Sequence, residues 1–386
     1  MNIFLTGATG FLGGEILMLL AQKQEIEKVY CLIRAKNDED ALFRIKHVFN
    51  LHGDFFDNKK IIPILGNLTD ENLSSNLTKN EQLKNINVII HAAANTSFAK
   101  INDDIVEKVN VVGLNKILAW VKTLKDLKTF LYIGTATICG KNVTNRIIFE
   151  DESPNIHSEH FVKYSYTKLL GEIAVRENIP ADKLLIVRPS IIMGDSRDWQ
   201  PRSNVILWTA ASFNMFRLLP VNPLANLDII SIDYVSKAIV ELLFAKRNYN
   251  TYHISSGTES VSNPLKITNT LSEAFKNRPE FKFVDREFLS QMKLWSRNKL
   301  PEGSKLYEYS EYIDYWKVIF KGSGKVRILL AGLDAYFHFI ELHQIFDNSR
   351  LLQDTKIGAP EPAHEYLKRS MKYLEKIDVF AGALDP

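Results

Sequence analysis

The sequence predicts an α/β fold: a doubly wound parallel sheet joined to a smaller, mostly helical C-terminal subdomain. Three observations carry that expectation. Short runs that are apolar throughout alternate with helical patterns over the first half of the chain. A Gly-rich turn separates the first apolar run from the first helical pattern. After about residue 195 the alternation gives way to helix-forming segments rich in aromatic residues. Strands that alternate with helices imply right-handed βαβ units.

The expected strands are "NIFLTG" (2–7), "KVYCLIR" (28–34), "IIPILG" (61–66), "NVIIHAAA" (87–94), "TFLYIGTA" (129–136) and "KLLIVRPS" (183–190). Each is apolar at nearly every position rather than at every second one. That is the mark of a strand covered on both faces. Amphipathic patterns predict helices over 13–23, 101–123 and 163–178. Further on, 228–246 reads as a short strand and a long helix, and "TYHISSG" (251–257) as another strand. From 263 onward helical patterns carry Trp295, Tyr307, Tyr309, Tyr312, Tyr315, Trp316 and Phe320. No linker separates the parts.

Composition narrows the class. Of 386 residues, 46% are hydrophobic and 24% charged, enough for a sizeable core. The net charge of +3 makes no case for nucleic acid or an anionic membrane. Cys31 and Cys139, far apart, form neither a disulfide framework nor a metal cluster, and a reducing, cytoplasmic setting is expected. Sequons such as that at Asn67 are read as chance. No Lys or Arg precedes Lys23, and Glu15 interrupts the first apolar stretch, against a secretion signal. No run reaches the ~20 apolar residues of a membrane span. The nearest, 326–342, is broken by Asp334, His338 and Glu341. It reads as a core or groove-lining helix, with a membrane-surface helix as the alternative.

The Gly-rich turn carries the first chemical hint. Gly7, Gly10 and Gly13 follow a strand and open a helix. Such a turn lets backbone N–H groups and a helix N-terminus meet a pyrophosphate. The spacing is G-x-x-G-x-x-G rather than G-x-G-x-x-G. At the end of the second strand, Ile33 stands where an NAD site places an acid ~20 residues on, and Arg34 follows. A guanidinium there suits a 2′-phosphate, hence NADP, and Arg44 offers a second cation. Taken singly, Arg44 is as readily a solvated surface residue, while for Arg34 a solvated strand end is the lesser reading. In "VKYSYTKLLGE" (162–172), Tyr164 and Lys168 are four apart and share a helix face. A neighbouring ammonium is expected to lower the phenol pKa and make Tyr164 a proton donor or acceptor. About thirty residues earlier, Thr135 ends a hydroxyl-rich strand and could hold a substrate oxygen. Each residue alone is commonplace; their order, after a Gly turn, is not.

In that order, "TGATGFLG" (6–13), "HAAA" (91–94), Asn110 in "VNVVG", "GTATICG" (134–140), Tyr164/Lys168 and "RPSIIMG" (188–194) resemble the extended short-chain dehydrogenase/reductase superfamily over about residues 1–257. Within it, "CLIRA", "GNLT" (66–69), "HAAANTSF" (91–98) and "RPSIIMGDS" resemble the thioester reductase and fatty acyl-CoA reductase branch. That branch also holds the reductase domain of carboxylic acid reductases. The resemblance implies a Rossmann domain over 1–257, with parts of 195–227 on the substrate side. It implies a mostly helical substrate-binding subdomain over 258–386.

The cofactor so implied is NADP(H) in preference to NAD(H). Gly7, Thr9, Gly10, Phe11, Leu12 and Gly13 would form its pyrophosphate turn. Arg34, with Arg44, would read the 2′-phosphate. Asn67 and Leu68 would border the adenine, and Ala92, Ala93 and Ala94 would line the cofactor. The backbone at Pro189 would touch the nicotinamide. Thr135, Tyr164 and Lys168 would be the catalytic group, with Lys168 also on the nicotinamide ribose. No metal is implied. Asn67 departs from the Asp usual in the branch, and Gly134 from a common Ser. Beyond 263 the resemblance is carried by "FDNSRLL" (346–352) and "GAPEPAHEYL" (358–367).

The activity implied is reduction of an acyl thioester, on CoA or an acyl carrier protein, to an aldehyde, with or without a second reduction to alcohol. The C-terminal aromatics would form the acyl or aryl pocket. The alternatives are a ketoreductase, dehydrogenase or epimerase of a natural-product or sugar intermediate, or an NADP-binding sensor without catalysis.

Overall fold

The structure is a computed structural model that describes residues 1–200, 202–203 and 206–384. Its centre is a parallel sheet of β1 (Asn2–Thr6), β2 (Lys28–Ile33), β3 (Ile61–Leu65), β4 (Val88–His91), β5 (Thr129–Ile133), β6 (Leu184–Pro189) and β7 (Thr251–Ile254). The spatial order is β3-β2-β1-β4-β5-β6-β7. Leu5 of β1 lies between Cys31 of β2 and Ile90 of β4. Chain order reverses at β1 and β4, and ligands bind such sheets at the carboxyl ends of the strands where that happens.

The unbroken apolar runs are explained by two cores, one on each face. Ile3, Leu5, Cys31, Ile33, Ile90 and Leu131 pack on one side against α1 (Phe11–Ala21), α2 (Asp38–Asn50) and the later helix Ile232–Phe244. Phe4, Leu32, Ile89, Phe130 and Tyr132 pack on the other. There they meet α3 (Leu114–Val121) and α4 (Lys163–Asn178). Alternate residues thus face opposite cores. Cys31 and Cys139 are unpaired, and burial pushes both thiols up.

The segment expected as one helix over 101–123 is broken. A 3₁₀ turn (Lys100–Asn102) and a helical turn (Asp103–Glu107) lead into a π-helical stretch, Lys108–Gly113, before α3. The wide turn carries buried Asn110, whose side chain accepts from Asn95 N at 2.7 Å and donates to Thr167 Oγ1 at 3.0 Å. π-turns cluster where such local demands override the regular ladder. Ile191–Ile192 went unread because it is too short for any period; it pairs beside the main sheet with Ile229–Ile230, the short strand expected at the start of 228–246.

The C-terminal part is helical, as expected, but the aromatics named over 295–320 have another use. Trp316 and Phe320 are fully buried, and Tyr312 nearly so, in a core shared with Phe216, Leu329 and Leu333. Trp295, Tyr309 and Tyr315 pack against that core, and Tyr307 is exposed. Large rings bury the most area, and the Trp316 indole finds a partner by donating to Phe216 O at 2.7 Å. The helix read over 326–342 spans Ser323–Ile340, here α5, and does face a groove, through Tyr336, Phe339 and Ile340. Among the described residues no helix is long and apolar enough to cross a membrane.

Candidate active site

The site begins where β1 and β4 end side by side. Thr6 Oγ1 accepts from Ala93 N at 3.1 Å and lies 3.1 Å from His91 Nδ1, which ties the two strand ends together. Gly7 then turns the chain with φ +76°, and a Cβ there would lie 2.7 Å from Ala93 N. A Cβ on Gly13 would lie 2.0 Å from Gly7 O, so only glycine lets the helix start pack on the turn. Gly10 caps α1 without a side-chain bond, and no acid occupies the first turn. The helix N-terminus therefore keeps its N–H groups and positive end for a ligand.

Arg34 is exposed just beyond β2. Arg44, on α2, reaches back and donates to Arg34 O. Among the described residues neither guanidinium meets a carboxylate within salt-bridge distance. Asn67 forms a small turn, its Oδ1 accepting from Thr69 N at 3.1 Å, and Leu68 is buried.

The catalytic candidates meet at the start of α4 and the end of β5. Lys168 is buried, donates to Ile133 O, and lies 4.5 Å above the Tyr132 ring. Burial pulls its pKa down to about 7, against the opposing charge of Glu172. Thr135 Oγ1 lies 3.1 Å from Thr137 Oγ1 and 3.5 Å from Pro189 O. Tyr164 is half-buried, 6.0 Å ring to ring from Phe98. Its phenol is pushed up to about 12 by burial. The expected lowering by Lys168 is not met, because the ammonium is engaged at the end of β5 and burial dominates.

Behind Lys168 stands a pair the sequence did not announce. Glu172, one turn on, is inaccessible and binds Arg188 through Nη2 at 2.6 Å and Nε at 3.0 Å. Arg176 adds Nη2 at 2.8 Å and Nε at 3.0 Å. Burial works to raise the carboxyl pKa, but the two guanidiniums prevail and hold it below the ordinary value. Asn110, quoted in the motif without a role, reaches Thr167, whose hydroxyl donates to Tyr164 O at 2.8 Å.

Every residue named from the sequence for cofactor or catalysis lines one cavity of about 1140 Å³. The Gly turn, Arg34, Arg44, Asn67 and Leu68 lie toward one end, and Ala92–Ala94, Thr135, Tyr164, Lys168 and Pro189 along its length. The cavity continues into a part built largely from 195–227, expected in part on the substrate side, and from the helix read over 326–342, though its individual residues were not singled out from the sequence. Its walls there include Phe98, Met193, Trp208, Phe213, Ile229, Tyr336 and Phe339. The quoted "HAAANTSF" could have pointed to Phe98. Trp208 and Phe213 lie in the stretch 195–227 expected in part on the substrate side, but neither stood out individually, since a cavity wall and a core face have the same helical period.

A parallel sheet with a glycine turn at its reversal point, and a Tyr/Lys pair one helical turn apart in the same cavity, define an extended short-chain dehydrogenase/reductase fold. The sequence places it further. The chain belongs to the male sterility protein family of NAD-binding domains, which matches residues 5–239. Fatty acyl-CoA reductase 1 of Rattus norvegicus is 26% identical over 322 residues, covering 72% of this chain and 62% of that protein. The chloroplastic fatty acyl-CoA reductase 2 of Arabidopsis thaliana is 25% identical over 356 residues, covering 72% and 57%. The chain thus spans less than two thirds of the length of these curated relatives.

Among solved structures, the terminal R domain from the myxalamid PKS-NRPS biosynthetic pathway superposes with TM-score 0.71 at 22% identity, covering 97% of this chain and 90% of that one. A thiolation-reductase di-domain from an archaeal non-ribosomal peptide synthetase gives 0.64 at 22%, covering 98% and 76%. UDP-glucuronic acid 4-epimerase from Bacillus cereus, in complex with NAD, gives 0.61 at 16%, covering 98% of both. At these identities the likeness is one of fold.

Proposed function

We propose that this protein is an NADPH-dependent oxidoreductase that reduces an acyl thioester, carried on CoA or on a carrier protein, to an aldehyde. A second reduction would give the alcohol. The observation that carries the reading is the single cavity that runs from the glycine turn past Thr135, Tyr164 and Lys168 into an apolar, aromatic part. Among its described lining residues, Lys and Arg occur only as Arg34, Arg44 and Lys168. The apolar part therefore suits an acyl chain and offers no cation for the diphosphate of a nucleotide sugar. That weighs against the epimerase alternative, which shares the fold.

The residues present fit the cofactor. The cradle at Gly7 and Gly13 is one that a Cβ would fill, and the α1 N-terminus above it is free of side-chain caps. Arg34 and Arg44 suit a 2′-phosphate, since guanidinium–phosphate bonds are charge-assisted and often bidentate. Asn67 and Leu68 would flank the adenine, Ala92–Ala94 the mid-section, and the Pro189 backbone the nicotinamide. Lys168 would bind the nicotinamide ribose. When bound, the cofactor supplies the hydride equivalent.

The chain's own residues do the rest. Thr135 and Tyr164 donate hydrogen bonds to the thioester carbonyl oxygen, where negative charge develops. Preorganised donors of this kind contribute about 3 kcal/mol each. Because burial raises the Tyr164 phenol, it is protonated at neutral pH and would give its proton to the oxyanion. The resulting hemithioacetal would then break its C–S bond and release the aldehyde and a thiol. The apolar walls exclude water and hold the chain. The setting proposed is cytoplasmic, in keeping with two unpaired cysteines.

The test is NADPH consumption by the purified protein with acyl-CoAs, carrier-bound acyl groups, ketones and UDP-sugars, with the aldehyde trapped as an oxime. Acyl thioesters are expected to be reduced. Turnover of ketones alone, or epimerisation of a UDP-sugar, would refute the reading.

A further inference from the structure

Resting on the acyl-thioester reading, we infer that Trp208, seated on Gly382, is the gauge that sets the length of acyl chain the cavity accepts. A line of rings leads away from the catalytic phenol. Phe98 is 6.0 Å from Tyr164, Tyr336 is 5.2 Å from Phe98, and Trp208 is 5.5 Å from Tyr336 in an edge-on contact. All four line the cavity. Phe98, Tyr164 and Tyr336 are only half-buried, unlike the core rings Trp316 and Phe320, so part of each ring is left to the cavity. Trp208 is different: it is 3% exposed and closes the series.

What fixes Trp208 is the short terminal helix Val379–Leu384. Gly382 meets the indole so closely that a Cβ there would lie 2.4 Å from Trp208 Cγ. One residue on, Ala383 packs against Gly332 of α5, where a Cβ would lie 2.7 Å from the Ala383 Cα. Two glycines thus let this helix sit flush against the ring and against α5. Asp378, Ala381 and Gly382 complete the cavity wall there. An alkyl chain that extends from a carbonyl at Tyr164 along the rings meets an indole that cannot retreat.

The test is a length series read in two ways. One is kcat/KM on saturated acyl-CoAs of graded length; the other is calorimetric binding of the matching non-reducible acyl-CoA thioethers. Trp208→Leu is expected to raise preference for longer chains. Gly382→Ala, which drives the indole inward, and Ala381→Leu, which fills the wall without touching the ring fit, are expected to favour shorter ones. A methylene in an apolar pocket is worth about 10–200-fold, so the long-to-short ratio should move about tenfold or more. Two filling variants keep the test standing if one misfolds, as melting curves will show.

Opposite shifts for the enlarging and filling variants support the gauge. An unchanged length profile, a shift in one common direction, or no thioether binding by the unaltered protein overturns it. Length-graded thioether binding without thioester reduction sinks the reductase reading and leaves the gauge standing.

Discussion

Glu172→Gln removes one charge and almost no volume from the least accessible ion cluster beside the site. Glu172 has no solvent exposure and Arg188 is 2% exposed. Four guanidinium N–H groups of Arg188 and Arg176 converge on the two carboxylate oxygens at 2.6–3.0 Å. Glutamine turns one acceptor into a donor that faces a donor, and it leaves Arg188 buried without its counter-charge. Breaking a buried pair from one side costs about 3–5 kcal/mol. Folded proteins hold about 5–15 kcal/mol in all, so the loss is large. Urea unfolding reads it as a lower midpoint at unchanged slope. A loss under about 1 kcal/mol, the scale of an exposed pair, would refute the reasoning.

The same substitution has a second readout at Lys168. Burial lowers that pKa to about 7 while the Glu172 charge works to raise it. Removing the anion disfavours the ammonium further, so the pH limb due to Lys168 moves to lower pH. The sign for stability follows. The folded value lies below the ordinary 10.5, so the folded state holds fewer protons between the two. Stability then rises with pH from about 7 toward 10.5, and this contribution is lost as pH falls through about 7. Replacing Lys168 with Met is expected to flatten that slope in pH-dependent unfolding.

Gly13→Ala places a Cβ 2.0 Å from Gly7 O and is expected to abolish NADPH binding in a fluorescence titration; binding within twofold of the unaltered protein would argue against the cradle. Arg34→Ala is expected to weaken NADPH by about 10–100-fold, the worth of charge-assisted bonds, with NADH affinity little changed. Equal losses for the two cofactors would remove Arg34 from the 2′-phosphate. Tyr164→Phe is expected to abolish turnover while NADPH binding stays close to that of the unaltered protein; retained turnover would dismiss Tyr164 as the proton donor.

Much of this was legible before any coordinates. The sheet strands were visible because burial on both faces leaves apolar runs, and "NIFLTG" and "TFLYIGTA" needed only trimming at their ends. The glycine turn was visible because close backbone approach admits one residue type. Other features were not legible. The helix over 101–123 hid a π-helical stretch, since Asn110 is satisfied by Asn95 and Thr167, partners that no local pattern reveals. Trp316 and Phe320 looked as fit for a pocket as Trp208, and which rings face a cavity depends on the packing of distant helices. The pKa of Tyr164 was misjudged because spacing on a helix says how near Lys168 is, not which carbonyl it engages.

By itself the sequence determined the parallel sheet, the phosphate-type turn and the order of Thr135, Tyr164 and Lys168. These are set by short-range rules: strand period, glycine sterics and one helical turn. Only the tertiary structure decided what lies beyond Tyr164. The apolar wall of the cavity there is assembled from residues near 98, 208, 336 and 382. Each of them is apolar for reasons that a core position would share. Hydrophobic burial is non-directional, so the chain can specify that these side chains leave water without specifying whether they meet one another or a substrate.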